Sequence, residues 1–260
     1  MPMTSPSKSQ EIITRHLCMA ADVEQYSHLD TPSQEAFQAD LVRVLEEAAV
    51  LSGLDRTTWQ RQPQGDQEFA VLPLETPEPL VLGCFVRNLA IRLGERNANR
   101  AEQERMRLKL AIDFGVARTA ALGHSGPAPV SVARYLSANQ LKQVLKAISS
   151  TDLVVIISDQ LYQDVVRLRG EGEGLDPARY VRVHVERKEF SGYGWVHVPE
   201  HGPEELKPLV SHPDPQPVPE PKPEGDAAPP PTNVVKRNKG GVFHFGSGDA
   251  AKTMHKKYTR

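Results

Sequence analysis

Two aspartates stand where the sequence pattern ends a strand or turns a hairpin. Asp22 closes the nearly continuous apolar run Arg15–Val23, which predicts a short central strand. Asp66 lies in the polar turn Gln64–Gln67, between two extended runs. Carboxylates that converge from neighbouring strands are able to hold hard divalent cations. Each aspartate alone is equally an ordinary turn former, so metal or phosphate binding and simple turn formation both stay open.

A long helix is predicted between the two aspartates. Thr31 is the expected N-cap, with Pro32 at the first helical position and Gln34 completing a T-x-x-Q capping box. Apolar residues then recur at helical spacing until Gly53, which is suited to the left-handed position after a helix. A second amphipathic helix is predicted over roughly Leu80–Arg96.

The rest of the folded part alternates strands and helices. The predicted elements are a half-exposed strand at Leu108–Ile112, a loop at Phe114–Pro129, two helices within Val130–Ile148, a buried strand at Leu153–Ile157, a helix from a Ser158 cap to Leu168, and a hairpin of Val181–Glu186 with Tyr193–Val198. The order β-α-β-β-α-β-α-α-β-α-β-β contains a hairpin that breaks a simple Rossmann pattern. We therefore predict an α/β fold with a ferredoxin-like, split βαβ sheet.

Composition divides the chain into four parts: a polar leader at 1–11, the α/β domain at 12–198, a linker at 199–232 and a tail at 233–260. The linker is predicted because Ser211–Pro231 holds nine prolines in 21 residues, which favours an extended spacer. The tail carries seven Lys or Arg residues and one Asp around a Gly-aromatic stretch at 240–250. That stretch suggests strand pairing with an unknown protein partner or an identical copy, although isolated disorder explains its composition equally well.

Overall composition excludes several classes of protein. The net charge of −2 argues against a general polyanion binder, and we expect no nucleic-acid partner. The two cysteines, Cys18 and Cys84, do not make a disulfide framework or a zinc pattern. The polar leader lacks the apolar core of a signal peptide, and no apolar run is long enough to cross a bilayer. We therefore expect a cytoplasmic protein without a membrane span.

Two segments together resemble a known family. Ala20–Ser27 (AADVEQYS) is similar to the metal-binding first strand of class III adenylate and guanylate cyclases, and Gln62–Pro73 (QPQGDQEFAVLP) is similar to their second metal motif, a hairpin with Gly-Asp at its tip. The order of the motifs, with a helix between them, also matches, and the likeness extends over roughly residues 12–198. The resemblance implies a cyclase homology domain.

The resemblance also implies a site and its ligands. Asp22 and Asp66 would hold two Mg²⁺ or Mn²⁺ ions, which would neutralise a nucleoside triphosphate and activate its ribose hydroxyl. The phosphates would lie against the backbone amides of the chain leaving the first strand, namely those of Val23, Glu24, Gln25, Tyr26 and Ser27. Because sites of this family form at a head-to-tail dimer interface, the resemblance implies a homodimer.

Other positions depart from the family pattern. An Asn followed four residues later by an Arg stabilises the transition state in the family; Arg134 matches the Arg, but Val130 stands at the Asn position. Loss of such a donor costs about 10²–10³ in rate. The purine-contacting Lys corresponds to Gln62, and its partner falls near Gly123. Arg134 is equally interpretable as a solvated helix arginine, and Gln62 retains the ability to hydrogen-bond a base.

The sequence therefore favours a divergent cyclase-like signalling domain that binds a metal-nucleotide or serves as a scaffold, and that interacts through its tail. Two alternatives stay open. One is an active nucleotidyl cyclase that uses Asp22, Asp66 and Arg134. The other is a structural, partner-binding protein whose site is vestigial.

Overall fold

The structure is a computed structural model that describes residues 13–169, 174–187 and 189–210. The strands are β1 (Arg15–Val23), β2 (Gln60–Gln64), β3 (Gln67–Val71), β4 (Leu108–Val116), β5 (Arg118–Ala120), β6 (Gly123–Ser125), β7 (Leu153–Ser158), β8 (Val181–Arg187) and β9 (Phe190–His197). The α-helices are α1 (Thr31–Leu51), α2 (Val86–Asn97), α3 (Pro127–Leu136), α4 (Asn139–Ala147), α5 (Asp159–Leu161), α6 (Arg167–Arg169) and α7 (Pro203–Val210). A π-helical turn, Leu80–Phe85, leads into α2, and a second, Tyr162–Val166, joins α5 to α6.

The seven-stranded sheet has a ferredoxin-like centre. Its strand order is β2-β3-β1-β4-β7-β9-β8, so β1 lies between β3 and β4 and is antiparallel to both. The β2–β3 hairpin and the crossing helices α1 and α2 complete a split βαβ arrangement. The predicted fold class is therefore confirmed, and so is the strand Arg15–Val23 with the residues predicted for it.

The sheet is covered on both faces. On β1, Leu17, Met19 and Ala21 belong to the core beneath α1 and α2, whereas Cys18 and Ala20 belong to a second core beneath α3, α4 and α7. Alternate side chains of a strand point to opposite faces, so both sets are buried and the run reads as continuously apolar. Asp22 continues the second set and therefore points towards the α3 side.

The start of α1 differs from the prediction by one residue. The N-cap is Asp30, not Thr31; its Oδ1 accepts a hydrogen bond from Ser33 N at 3.0 Å. Asp30 has the extended backbone of an N-cap, and Asp is at least as good a cap as Thr. Gln34 does not complete a capping box, because its Nε2 donates to the carbonyl of Leu29. Gly53 has φ 71° after the helix, as predicted.

The region around β4 contains two further corrections. β4 was expected to be a half-exposed strand, yet Leu108–Ile112 are all buried because helices cover both faces. The predicted loop at Phe114–Pro129 instead contains the end of β4, the small β5–β6 hairpin and the start of α3. Gly126 precedes α3 with φ 123°, and a Cβ there would lie 2.4 Å from the Val116 carbonyl oxygen. Glycine is therefore required for this close backbone approach.

The predicted linker starts too early. Residues 203–210 form α7, whose Leu206 and Val210 are buried in the core beneath α4 and β8, so the folded domain extends at least to residue 210. The remaining linker and the tail at 233–260, including the stretch at 240–250, lie outside the described residues. None of the helices over the described part combines the length and apolar character that crossing a bilayer requires.

Candidate functional site

Asp22 lies at the end of β1, between β3 and β4. Its partners across the sheet are Gln67 in β3 and Lys109 in β4. The Asp22 side chain is only 18% exposed, and its Oδ2 forms an ion pair with Lys109 Nζ. The predicted metal ligand is therefore already paired with a cation that belongs to the chain.

Lys109 is buried to an unusual degree for a lysine. Its side chain is 7% exposed, and Nζ also lies 3.1 Å from Glu24 Oε2. Burial lowers the pKa of Lys109, but the hydrogen bonds and negative charges of Asp22 and Glu24 outweigh burial, so the pKa lies above its ordinary value. The ammonium is thus held in its charged form between two carboxylates.

Asp66 lies beside Asp22, as the two motifs predict. It occupies the β2–β3 turn after Gly65, which has φ 64°, and its carbonyl oxygen accepts from Val23 N at 3.1 Å. Burial, aided by repulsion from Asp66 and Glu24, raises the pKa of Asp22 against the opposing effect of Lys109. The structure therefore brings the two aspartates to adjoining positions, one at the end of β1 and one in the β2–β3 turn.

The chain that leaves β1 is less available to a phosphate than predicted. The amide of Val23 donates to Asp66, and that of Glu24 donates to the Arg107 carbonyl at 2.9 Å. These two donors are occupied, which corrects the prediction for Val23 and Glu24. Gln25 has a left-handed backbone with φ 62°, and it precedes the short turn that contains Tyr26 and Ser27. For these three amides, phosphate binding stays a prediction.

The residues around Asp22 do not fit a pair of divalent ions in this arrangement. Over the described ranges, no three carboxylate, imidazole or thiolate side chains are placed so that they could hold a metal ion. Mg²⁺ also requires carboxylate oxygens at about 2.0–2.1 Å with open positions around it. The Lys109 ammonium already contacts one of the two carboxylate oxygens of Asp22, Oδ2.

A second feature lies on the same side of the sheet. A pocket of about 450 Å³ is lined by Arg134, Ser137, Asn139, Lys142 and Arg187, and we call it the cationic pocket. Within the described residues no carboxylate lines it. Arg187 is held in place because its Nε donates to the Ser137 carbonyl at 3.0 Å and its guanidinium also contacts Asn139. The pocket thus presents three positive charges, and two hydrogen-bonding side chains beside them.

The cationic pocket adjoins the surroundings of Asp22. A pocket of about 240 Å³, here called the Asp22 pocket, is lined by Asp22, Gln67, Lys109, Ala133, Leu136, Ser137 and Lys142. Ser137 and Lys142 line both pockets. Arg134, the predicted catalytic arginine, therefore lines the pocket that adjoins the pocket of Asp22, the predicted metal ligand.

The remaining predicted positions are also located. Val130 is 53% exposed on α3 and offers no hydrogen bond at the family's Asn position. Gln62 and Gly123 do come together: a Cβ on Gly123 would lie 2.0 Å from Gln62 Oε1. However, Gln62 Nε2 donates to the Leu122 carbonyl at 3.2 Å, so this predicted base contact is already engaged within the chain.

Sequence reasoning did not single out Lys109, Lys142 or Arg187. Lys109 left a signal, because a single cation within the apolar strand Leu108–Ile112 needs a buried partner. Lys142 and Arg187 left none, since they come from a helix and a strand that are distant in sequence.

No family model matches the chain, and none of the curated proteins matches it in sequence. Solved structures do match this chain. An adenylate/guanylate cyclase/hydrolase from Silicibacter pomeroyi is 16% identical with a TM-score of 0.48, over 72% of this chain and 99% of that one. The guanylate cyclase domain of Catenaria anguillulae RhGC, in complex with GTP, is 15% identical with a TM-score of 0.46, over 71% of this chain and 96% of that one.

A bacterial light-regulated adenylyl cyclase is 8% identical with a TM-score of 0.48, over 76% of this chain and 97% of that one. These structures are nucleotidyl cyclases or cyclase domains, which is the family that the two aspartate motifs resemble.

Proposed function

We propose that this cyclase-like domain binds the triphosphate of a nucleotide in the cationic pocket and does not cyclise it. The observation that carries the proposal is the grouping of Arg134, Lys142 and Arg187 around one pocket that no described carboxylate lines. Like charges repel one another, so three cations that line one pocket favour the binding of an anionic ligand. A triphosphate supplies several negative charges and many acceptor oxygens.

The chemistry of the pocket suits phosphate groups. A guanidinium donates through a planar fork that matches two phosphate oxygens, whereas an ammonium acts as a point charge. Arg134 and Arg187 provide the first kind of contact, and Lys142 provides the second. Because Arg187 is already held by Ser137 and Asn139, less side-chain entropy is lost when it contacts a ligand.

Two features argue against cyclisation. The valine at position 130 cannot donate a hydrogen bond to a developing charge or orient a ribose, so that contribution to transition-state stabilisation is missing. The Asp22 carboxylate is paired with Lys109 through Oδ2, so an ion that activates the attacking hydroxyl would have to bind beside a fixed cation. Triphosphate binding requires neither a hydrogen-bond donor at position 130 nor metal ions at Asp22, because it depends on the cationic pocket.

The base contributes little to recognition in this proposal. Gln62 Nε2 is engaged by the Leu122 carbonyl, and the family's charged partner is absent near Gly123. We therefore expect ATP, GTP and inorganic tripolyphosphate to bind with dissociation constants within about tenfold of one another.

The test combines binding with product analysis. Calorimetry of the full chain with ATP, GTP and tripolyphosphate, with and without Mg²⁺, should give saturable binding that weakens with salt, because it rests on charge. Arg134→Gln should weaken it. Incubation with each of the four nucleoside triphosphates and Mg²⁺ or Mn²⁺, followed by mass spectrometry, should yield no cyclic product.

Each remaining outcome selects one of the alternatives. A cyclic product that disappears in Asp22→Ala would show an active nucleotidyl cyclase and overturn the proposal. If no nucleotide or polyphosphate binds, and Arg134→Gln behaves as wild type, the structural, partner-binding role is left. A homodimer stays a prediction; the 93% exposed Leu122 at the tip of the β5–β6 hairpin supports a contact surface there.

A further inference from the structure

Lys109 is placed by the sheet itself, not by a flexible loop. It stands directly opposite Asp22 in the antiparallel β1–β4 pair, within six consecutive β4 residues that are buried. The neighbouring side chains, Leu108 and Leu110, point into the opposite core. Backbone pairing therefore fixes where the lysine stem starts, and the ammonium meets Asp22 without a change in strand register.

The ammonium contacts two largely buried carboxylates. Nζ contacts Asp22 and lies 3.1 Å from Glu24 Oε2, and these side chains are 18% and 19% exposed. A buried carboxylate without a counter-charge is strongly unfavourable. The lysine thus fulfils the electrostatic role that a bound divalent ion would fulfil, with oxygen ligands of the same kind.

A divalent ion and this ammonium exclude each other. An ion coordinated by Asp22 would lie within a few ångströms of Nζ, where a double and a single positive charge repel strongly. The Asp22 pocket beside Lys109 is also lined by a second cation, Lys142. Movement of the ammonium into that pocket would bring two positive charges together.

We propose that the Lys109 ammonium is the resident cation of the Asp22 site and keeps divalent ions out of it. The inference concerns the cation alone and requires no nucleotide. The site then carries a counter-charge from its own chain, with one ammonium between Asp22 and Glu24.

The test removes the charge and asks whether a metal takes its place. Mn²⁺ is titrated into the full chain without nucleotide, and free Mn²⁺ is followed by electron paramagnetic resonance. We expect Lys109→Met to gain one Mn²⁺ site at least about tenfold tighter than any site of the wild type, since Asp22 and Glu24 lose their counter-ion. The double variant Lys109→Met, Asp22→Asn should lose that site.

A matched control is Lys207→Met, which removes an exposed lysine that lies 2.7 Å from Glu204 on α7. It should bind Mn²⁺ as the wild type does. A wild-type Mn²⁺ site that Asp22→Asn abolishes would overturn the proposal, and so would a Lys109→Met variant that gains no affinity.

A second measurement keeps the proposal falsifiable if Lys109→Met does not fold. Nitrogen-15 NMR of the lysine ammonium groups in the wild type should show a slowly exchanging Lys109 signal that does not change with millimolar Mg²⁺. A shift or loss of that signal on addition of Mg²⁺ would contradict a resident ammonium. Because no nucleotide is present, failure here leaves anion binding in the cationic pocket untouched.

Discussion

The Asp22 pocket and the cationic pocket adjoin each other, but among the described residues only the first has cations and carboxylates of the chain in contact. In the Asp22 pocket, a buried ammonium meets two carboxylates of the same chain. In the cationic pocket, Arg134, Lys142 and Arg187 meet no described carboxylate. The first arrangement contributes to the stability of the fold, whereas the second leaves positive charge for a ligand.

The difference separates stability from binding. Breaking a buried ion pair leaves an uncompensated charge and is strongly destabilising, whereas changing an exposed cation has little effect on the fold. Substitutions in the Asp22 pocket should therefore change the free energy of unfolding, whereas substitutions in the cationic pocket should change ligand affinity.

The largest expected effect is at Asp22. Asp22→Ala leaves the Lys109 ammonium with Glu24 alone, so the free energy of unfolding should fall by about 3 kcal/mol in urea titrations. The double variant Asp22→Leu, Lys109→Met should recover part of this loss, because of the three groups only Glu24 then loses its partner. The control Glu204→Ala breaks an exposed pair with Lys207 and should have no measurable effect. Equal stability of Asp22→Ala and this control would remove the distinction between the pockets.

A smaller effect is expected at His197, a partly buried group without a carboxylate in hydrogen-bonding contact. Its ring stacks on Tyr180 with centroids 4.7 Å apart, and Nδ1 lies 3.4 Å from the Arg179 carbonyl. Burial lowers the pKa of His197 to about 4, so the folded state keeps it neutral while the unfolded chain protonates it near pH 6.5. Stability from this group is complete above pH 6.5 and is lost as the pH falls towards 4.

His197→Phe keeps an aromatic ring and removes the titration. The wild type should lose about 2 kcal/mol more unfolding free energy than this variant between pH 7 and pH 5. Denaturant titrations at the two pH values measure that difference. If the unfolding free energies of the wild type and His197→Phe change equally between the two pH values, burial does not disfavour the charged imidazole.

The smallest effect is expected at Lys142, which is exposed on α4 and lines both pockets. Lys142→Glu should weaken tripolyphosphate binding by about 1 kcal/mol, roughly fivefold in Kd, with an unchanged unfolding free energy. Lys146→Glu, also exposed on α4 but outside both pockets, is the matched control. Equal affinity of the two variants would place the ligand elsewhere.

The sequence was a good guide where the signal is local. The apolar run ending at Asp22 and the Gly65–Asp66 turn predicted β1 and the β2–β3 hairpin, because side-chain periodicity and turn chemistry depend on neighbours in the chain. The same local rules missed α7, since Pro203 and Pro208 lie in a proline-rich context; only the packing of Leu206 reveals a helix there.

The site was predictable only in part. Alternation in Leu108–Ile112 predicted a half-exposed strand because Lys109 is polar, yet Lys109 is buried with polar partners. Periodicity cannot distinguish a polar side chain in solvent from one that is paired inside the protein. The cationic pocket combines α3, α4 and β8, and no sequence spacing relates these elements.

The two edges of the sheet bear on how the protein behaves at high concentration. β2 forms one edge and consists of polar residues around Pro63, which has no backbone N–H to offer a further strand. β8 forms the other edge and exposes Arg182, His184 and Glu186. Charged side chains and an edge proline are the usual protections against open-ended strand addition. The edge strands of the described domain therefore disfavour fibril growth by strand addition.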